Sequence, residues 1–98
     1  MELKWTELAV GDLDQIESYV YLEGSPAVAV ALVLKVIDIA EKVLLQHSSA
    51  GRSGRVKGTR ELVISGTPFV IIYRVVLGPD QVQVLRVLHS AREWPVTN

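Results

Sequence analysis

The hydrophobic pattern changes period halfway along the chain. "LKWT" at 3–6 reads as a short strand, with Thr6 as a helix N-cap. Leu8, Asp12, Ile16, Tyr19 and Val20 then recur near helical spacing, weakened by Gly11. "EGSP" at 23–26 is a stop and a restart: Gly24 ends one helix, Ser25 caps the next and Pro26 suits its first turn. The second helix is predicted from Pro26 to His47. Lys35, Asp38, Glu41, Lys42 and Gln46 form one polar stripe, so its other positions are buried or face a partner. Beyond residue 58 the period shortens. "TRELVIS" (59–65), "PFVIIYRVVL" (68–77) and "QVQVLRVLH" (81–89) are strand-like and separated by "GT" and "GPD". The middle run is apolar on both alternations and is expected to be central. The predicted class is α+β: a strand, a helical hairpin, then a three-stranded antiparallel meander (β-α-α-β-β-β).

Composition fits one small domain. The chain has 98 residues, 49% hydrophobic and 21% charged, with no cysteine. Disulfides and thiolate chemistry are therefore excluded. No secretory signal is visible at the start. The longest apolar run, "PAVAVALVL" at 26–34, is too short to span a bilayer.

The charge is divided. Residues 1–50 sum to −5 and residues 51–98 to +4, within a total of −1. Either the two halves pair, or one side of the molecule attracts an anionic partner. Positive charge gathers in "GRSGRVKGTREL" (51–62), which holds Arg52, Arg55, Lys57 and Arg60 among three glycines.

Several chemistries fail on their motifs. "GRSGRVKG" follows a helix, precedes a strand and lacks G-K-[ST], so it is not a phosphate loop. His47 and His89 without cysteine give no zinc spacing, and no metal or cofactor is expected. No serine sits in a nucleophile elbow. If Leu77 faces Gln81 across "GPD", Ile72 faces Arg86 and Val84 faces Arg74. The two arginines then share one sheet face. They either join an ion pair with Glu61 or a helix acid, or form a cationic concavity with the loop. His89 ends the last strand and is either a general acid–base or a plain hydrogen-bonded histidine. Trp94 and Pro95 are expected to pin the C-terminal segment.

"AVGDL" (9–13), "SP-A" at the helix break, "GR-x-GRV-x-GTREL", "TPFVIIYRV" and "VLRVLHSAREWP" together resemble the RelE/ParE family of bacterial toxins, and the ParE-like branch in particular. The resemblance spans nearly the whole chain, so residues 1–98 are read as one toxin domain. It implies a cytoplasmic bacterial protein of a type II toxin–antitoxin system that arrests growth when its antitoxin is degraded. Two activities are implied as alternatives: poisoning of DNA gyrase without catalysis, or ribosome-dependent cleavage of mRNA. Nuclease members carry an arginine where this chain has Val70, although His89 matches a strand-end histidine that some of them use. That favours the gyrase-directed reading. A degenerate member that only binds its partner is a third possibility.

The expected target contacts are Arg52, Arg55, Lys57, Arg60, His89, Arg92 and Trp94. Only a nuclease would make His89, Arg74 and Arg86 catalytic. The resemblance also implies an antitoxin segment that folds over the helices. Ala27, Val30, Ala31 and Leu34 are the expected apolar contacts, with Arg52 and Arg55 meeting its acids.

Overall fold

Thr6 begins the fold by serving two elements at once. The computed structural model describes residues 1–92 and residue 94. In it, strand β1 (Glu2–Trp5) ends at Thr6, and helix α1 (Glu7–Glu23) starts there. The Thr6 hydroxyl oxygen accepts the Ala9 N–H at 3.1 Å, as the N-cap pattern predicts, and donates to the Leu85 carbonyl at 2.9 Å. Gly24 closes α1. Ser25 then caps helix α2 (Pro26–Ile39), its hydroxyl accepting the Ala27 N–H at 3.2 Å.

The predicted continuous helix to His47 is modified. After Ile39 the chain winds as a π-helical turn, Ala40–Leu44. Val36, Ala40 and Leu44 follow one another at intervals of four and are all fully buried. A spacing of four drifts off one face of a pure α-helix, and a looser π turn drifts the other way. Combining them keeps the three side chains on the core.

Four more strands complete the molecule: β2 (Arg52–Ser53), β3 (Arg60–Val63), β4 (Phe69–Val76) and β5 (Gln81–His89). The sheet order is β1-β5-β4-β3-β2, so β4 is central, as its two-sided apolar pattern predicts. The meander is antiparallel. Strand β1 adds to its edge parallel to β5, from Glu2 beside Gln81 to Trp5 beside Val84. Ile71, Tyr73, Val82, Val84 and Val87 pack under Ala9, Leu13 and Ile16 of α1 and the Val36–Ala40–Leu44 line. Val70, Ile72 and Leu88 are also buried, outside that cluster.

Two expectations are corrected here. The inward stripe of α1 is Ala9, Asp12, Leu13 and Ile16, while Leu8 and Tyr19 are exposed. Helix α1 is apolar on two sides, and periodicity alone does not choose between them. The β4–β5 register also slips by one. Ile72 faces Arg86 as expected, but Tyr73 then faces Val84 and Arg74 faces Gln83. Leu85 is the extra residue, a bulge that breaks the alternation and re-aims Arg86.

Arg86 turns toward α1 and meets Asp12 in a two-pronged pair. Its Nε donates to Asp12 Oδ2 at 2.8 Å and its Nη2 to Oδ1 at 2.9 Å. The Asp12 carboxylate also accepts the Val87 backbone N–H at 2.9 Å. Both side chains are largely hidden, 4% exposed for Asp12 and 12% for Arg86. The bond to Asp12 raises the Arg86 pKa above its ordinary value, against the opposing effect of burial. So the arginine stays charged and fully engaged.

A second tie holds the basic loop. Fully buried Tyr73 donates its hydroxyl proton to the Ser48 carbonyl at 2.7 Å and accepts the Gly51 N–H at 2.8 Å. Gly51 is needed for this approach, since a Cβ there would lie 2.7 Å from the Tyr73 hydroxyl.

Removing one member of the ion pair leaves a buried charge uncompensated. Asp12→Ala is expected to cost about 3–5 kcal/mol in chemical denaturation. Asp12→Leu combined with Arg86→Met should recover only part of the loss, because apolar groups replace both charges while the Val87 N–H is left without its acceptor. Tyr73→Phe strands the Gly51 N–H and the Ser48 carbonyl. It should cost about 1–3 kcal/mol in the same measurement.

Candidate functional site

The loop arginines are more engaged than their sequence suggests. Arg52 Nη2 reaches Glu61 Oε1 at 3.2 Å, and Glu61 Oε2 accepts the Arg55 backbone N–H at 3.2 Å. Arg60 Nη1 donates to the Gly51 carbonyl at 2.8 Å and to that of Ser49 at 3.4 Å. Glu61 is buried, so it organises the loop from beneath. The Arg52 end of the pair is solvent-exposed, which limits what it adds to stability, so these bonds mainly fix shape. Among the described residues, the side chains of Arg55 and Lys57 have no ion pair and face solvent. The loop returns to β3 through Gly58, whose φ of +85° suits glycine.

The expected catalytic groups do not converge. Arg86 belongs to Asp12. Arg74 is exposed, and its Nε donates to Gln83 Oε1 at 2.7 Å. His89 stands opposite Phe69, five residues along β4 from Arg74, about 17 Å at the usual strand rise. Thus the expected shared face for Arg74 and Arg86 is corrected: the Leu85 bulge separates them. Val70, at the position of the family nucleases' arginine, is apolar and 6% exposed.

His89 is exposed and its ring meets Phe69 edge-on, with centroids 5.9 Å apart. Its Nδ1 accepts the Ala91 N–H at 3.1 Å. His89 and Arg92 line an apolar cleft of about 520 Å³ between the helical hairpin and the β4–β5 ends, together with Tyr19, Val28, Leu32 and Phe69. Sequence reasoning did not find this cleft. Its signal was the second apolar side of α1.

The outer face of α2 carries Ala27, Val30, Ala31 and Leu34, all exposed. Trp94 is half-buried beside Lys57 and Arg74 rather than with His89 and Arg92. Pro95, expected to share its role, lies outside the described residues. The seven expected target contacts therefore fall into separate places: Lys57 with Trp94, His89 with Arg92, and Arg52 and Arg60 tied into the loop, with Arg55 free beside them. For Arg86 the expected ion pair with Glu61 or a helix acid is the outcome, and the acid is Asp12. A carboxylate on an otherwise inward stripe was the available sign that a counter-charge must meet it. Among the described residues, no three His, Cys, Asp or Glu side chains are grouped to hold a metal, and no helix is long and apolar enough to cross a membrane.

Comparisons with known proteins agree with this architecture. The family model described as "ParE toxin of type II toxin-antitoxin system, parDE" matches residues 3–94. The Sinorhizobium fredii protein Y4kP, whose name designates it a toxin, is 37% identical over 93 residues, covering 95% of this chain and 92% of that protein. A chain in the solved structure of the chromosomal ParDE toxin–antitoxin system from P. aeruginosa is 32% identical. It superposes with a TM-score of 0.79 over 91% of this chain and 95% of that one. A chain of the RelBE2 toxin–antitoxin complex from Mycobacterium tuberculosis shares the fold at 22% identity, with a TM-score of 0.62 over 90% and 95% of the two chains. The chain belongs to the ParE toxin family of type II toxin–antitoxin systems.

Proposed function

We propose that this toxin arrests growth in the bacterial cytoplasm by binding DNA gyrase and trapping its cleaved-DNA state. On this reading it makes and breaks no bond itself, and residues 1–98 act as one domain. The observation that carries the reading is the engagement of Arg86 by Asp12. In-line attack on a phosphodiester needs positive charge aimed at the phosphate and a nearby proton carrier. Here one arginine is held by a carboxylate, another lies far along the strand from His89, and Val70 supplies no charge.

The partner that silences the toxin is its cognate antitoxin. Support comes from the exposed apolar side chains of α2, Ala27, Val30, Ala31 and Leu34, which a folding helical segment would cover. Arg55, and Arg52 beside Glu61, stand ready to speed capture of an acidic chain. Two of the solved structures it resembles are of a ParDE toxin–antitoxin system and a RelBE2 toxin–antitoxin complex.

A second reading, mRNA cleavage on the ribosome, is favoured by one observation: His89 is exposed at the end of β5. Purified gyrase, ATP, plasmid and the full-length toxin decide between them. The expected outcome is linear, covalently gyrase-bound DNA that increases with toxin. Unaffected gyrase, with ribosomal mRNA cleavage that Ala in place of His89 abolishes, would refute the proposal.

A further inference from the structure

The sheet face turned away from the helices holds a groove of about 610 Å³ that no helix residue lines. Arg74 alternates with core-facing Tyr73 and Val75 on β4, and Leu85 follows core-facing Val84 on β5, so both point to this face. Lys57 and Val56 enter from the loop. Leu77 stands at one end, 82% exposed, and Trp94 closes a wall. Groove and apolar cleft share no lining residue.

Two features show preparation for an anionic, partly apolar occupant. First, Arg74 is aimed. Its Nε is held by Gln83, which is itself bonded to Gln81 at 3.3 Å, so the terminal guanidinium nitrogens remain for a ligand. Second, Lys57 sits on a braced turn. The Thr59 hydroxyl and N–H both donate to the Val56 carbonyl, at 2.6 and 3.0 Å, and Gly54 N–H donates to the Thr59 carbonyl at 2.8 Å. No acid lines the groove.

We propose that this groove grips an acidic segment of gyrase, a short protein stretch with an apolar side chain flanked by carboxylates. The proposal rests on the gyrase reading above. Protein is favoured over nucleic acid because two cations border an aliphatic floor of Val56, Leu77 and Leu85. Phosphate backbones are met by polar, densely basic surfaces. Gyrase is favoured over the antitoxin because the exposed apolar side chains of α2 lie across the sheet, and the loop arginines offered to antitoxin acids, Arg52 and Arg55, do not line the groove.

The test uses full-length toxin carrying Lys57→Glu with Arg74→Glu, and Lys57→Gln with Arg74→Gln should charge reversal disturb folding, checked by thermal melting. Gyrase cleavage and antitoxin binding are measured together. The toxin concentration giving half-maximal cleaved complex should rise about tenfold or more, with antitoxin affinity unchanged. Wild-type potency in the folded variants overturns the groove while leaving the gyrase reading standing. Lost antitoxin affinity would also overturn it, assigning the groove to the antitoxin. A wild-type chain that leaves gyrase untouched removes the reading and the occupant together.

Discussion

One carboxylate completes the edge of the sheet. Strand β1 accompanies β5 only as far as Val84, and the backbone groups of β5 beyond that point need other partners. Side chains from the first helix supply them: the Thr6 hydroxyl takes the Leu85 carbonyl, and Asp12 takes the Val87 N–H. Asp12 also receives the guanidinium that the Leu85 bulge turns inward. The seat of α1 on the sheet depends on this junction, and so does the apolar cleft beside it, which Asp12 helps line. The buried pair is a weak source of net stability compared with an apolar substitute, but losing one half of it is costly. Its main effect is to fix where α1 sits and to remove Arg86 from any chemistry at the surface.

The sheet therefore presents two sides of different character. Helices cover one side, and their outer surface remains apolar at Val30, Leu34 and Tyr19. The other side carries an aimed guanidinium and an ammonium beside aliphatic side chains. That division gives physical form to the unequal charge of the two chain halves. One buried cross-half pair, Asp12 with Arg86, uses part of the difference. Arg55 and Lys57 keep their charge at the surface. A toxin silenced over its helices and active through its bare sheet would have this layout.

Much of the fold was legible because its signals are local. Thr6, Ser25 and Pro26 mark helix starts by their own chemistry, and the strands from Arg60 to His89 declare themselves by alternation and turns. The family was legible from motifs running along nearly the whole chain. What escaped was set by distance or by one-residue shifts. A helix acid was one of the partners expected for Arg86, but which acid could not be read across 74 positions, and Leu85 looks no different from its neighbours although it changes the register. The inward side of α1 was ambiguous because its other side is apolar as well, at Leu8 and Tyr19. The candidate surfaces were legible as residues but not as groups. Lys57 and Trp94 stood out singly, while Arg74 joins them only because β4 and the loop are neighbours in space.

The central claim is that the Asp12 carboxylate serves as the missing strand partner of β5. The most direct measurement is hydrogen exchange at the Val87 amide by NMR. Its bond runs to a side chain and not to a strand, so its protection reports on Asp12 alone. The account predicts that this amide exchanges as slowly as the core ladder of β4 and β5, through global unfolding. Exchange as fast as that of the exposed 55–58 loop would contradict it, and would free Arg86 for a role at the surface.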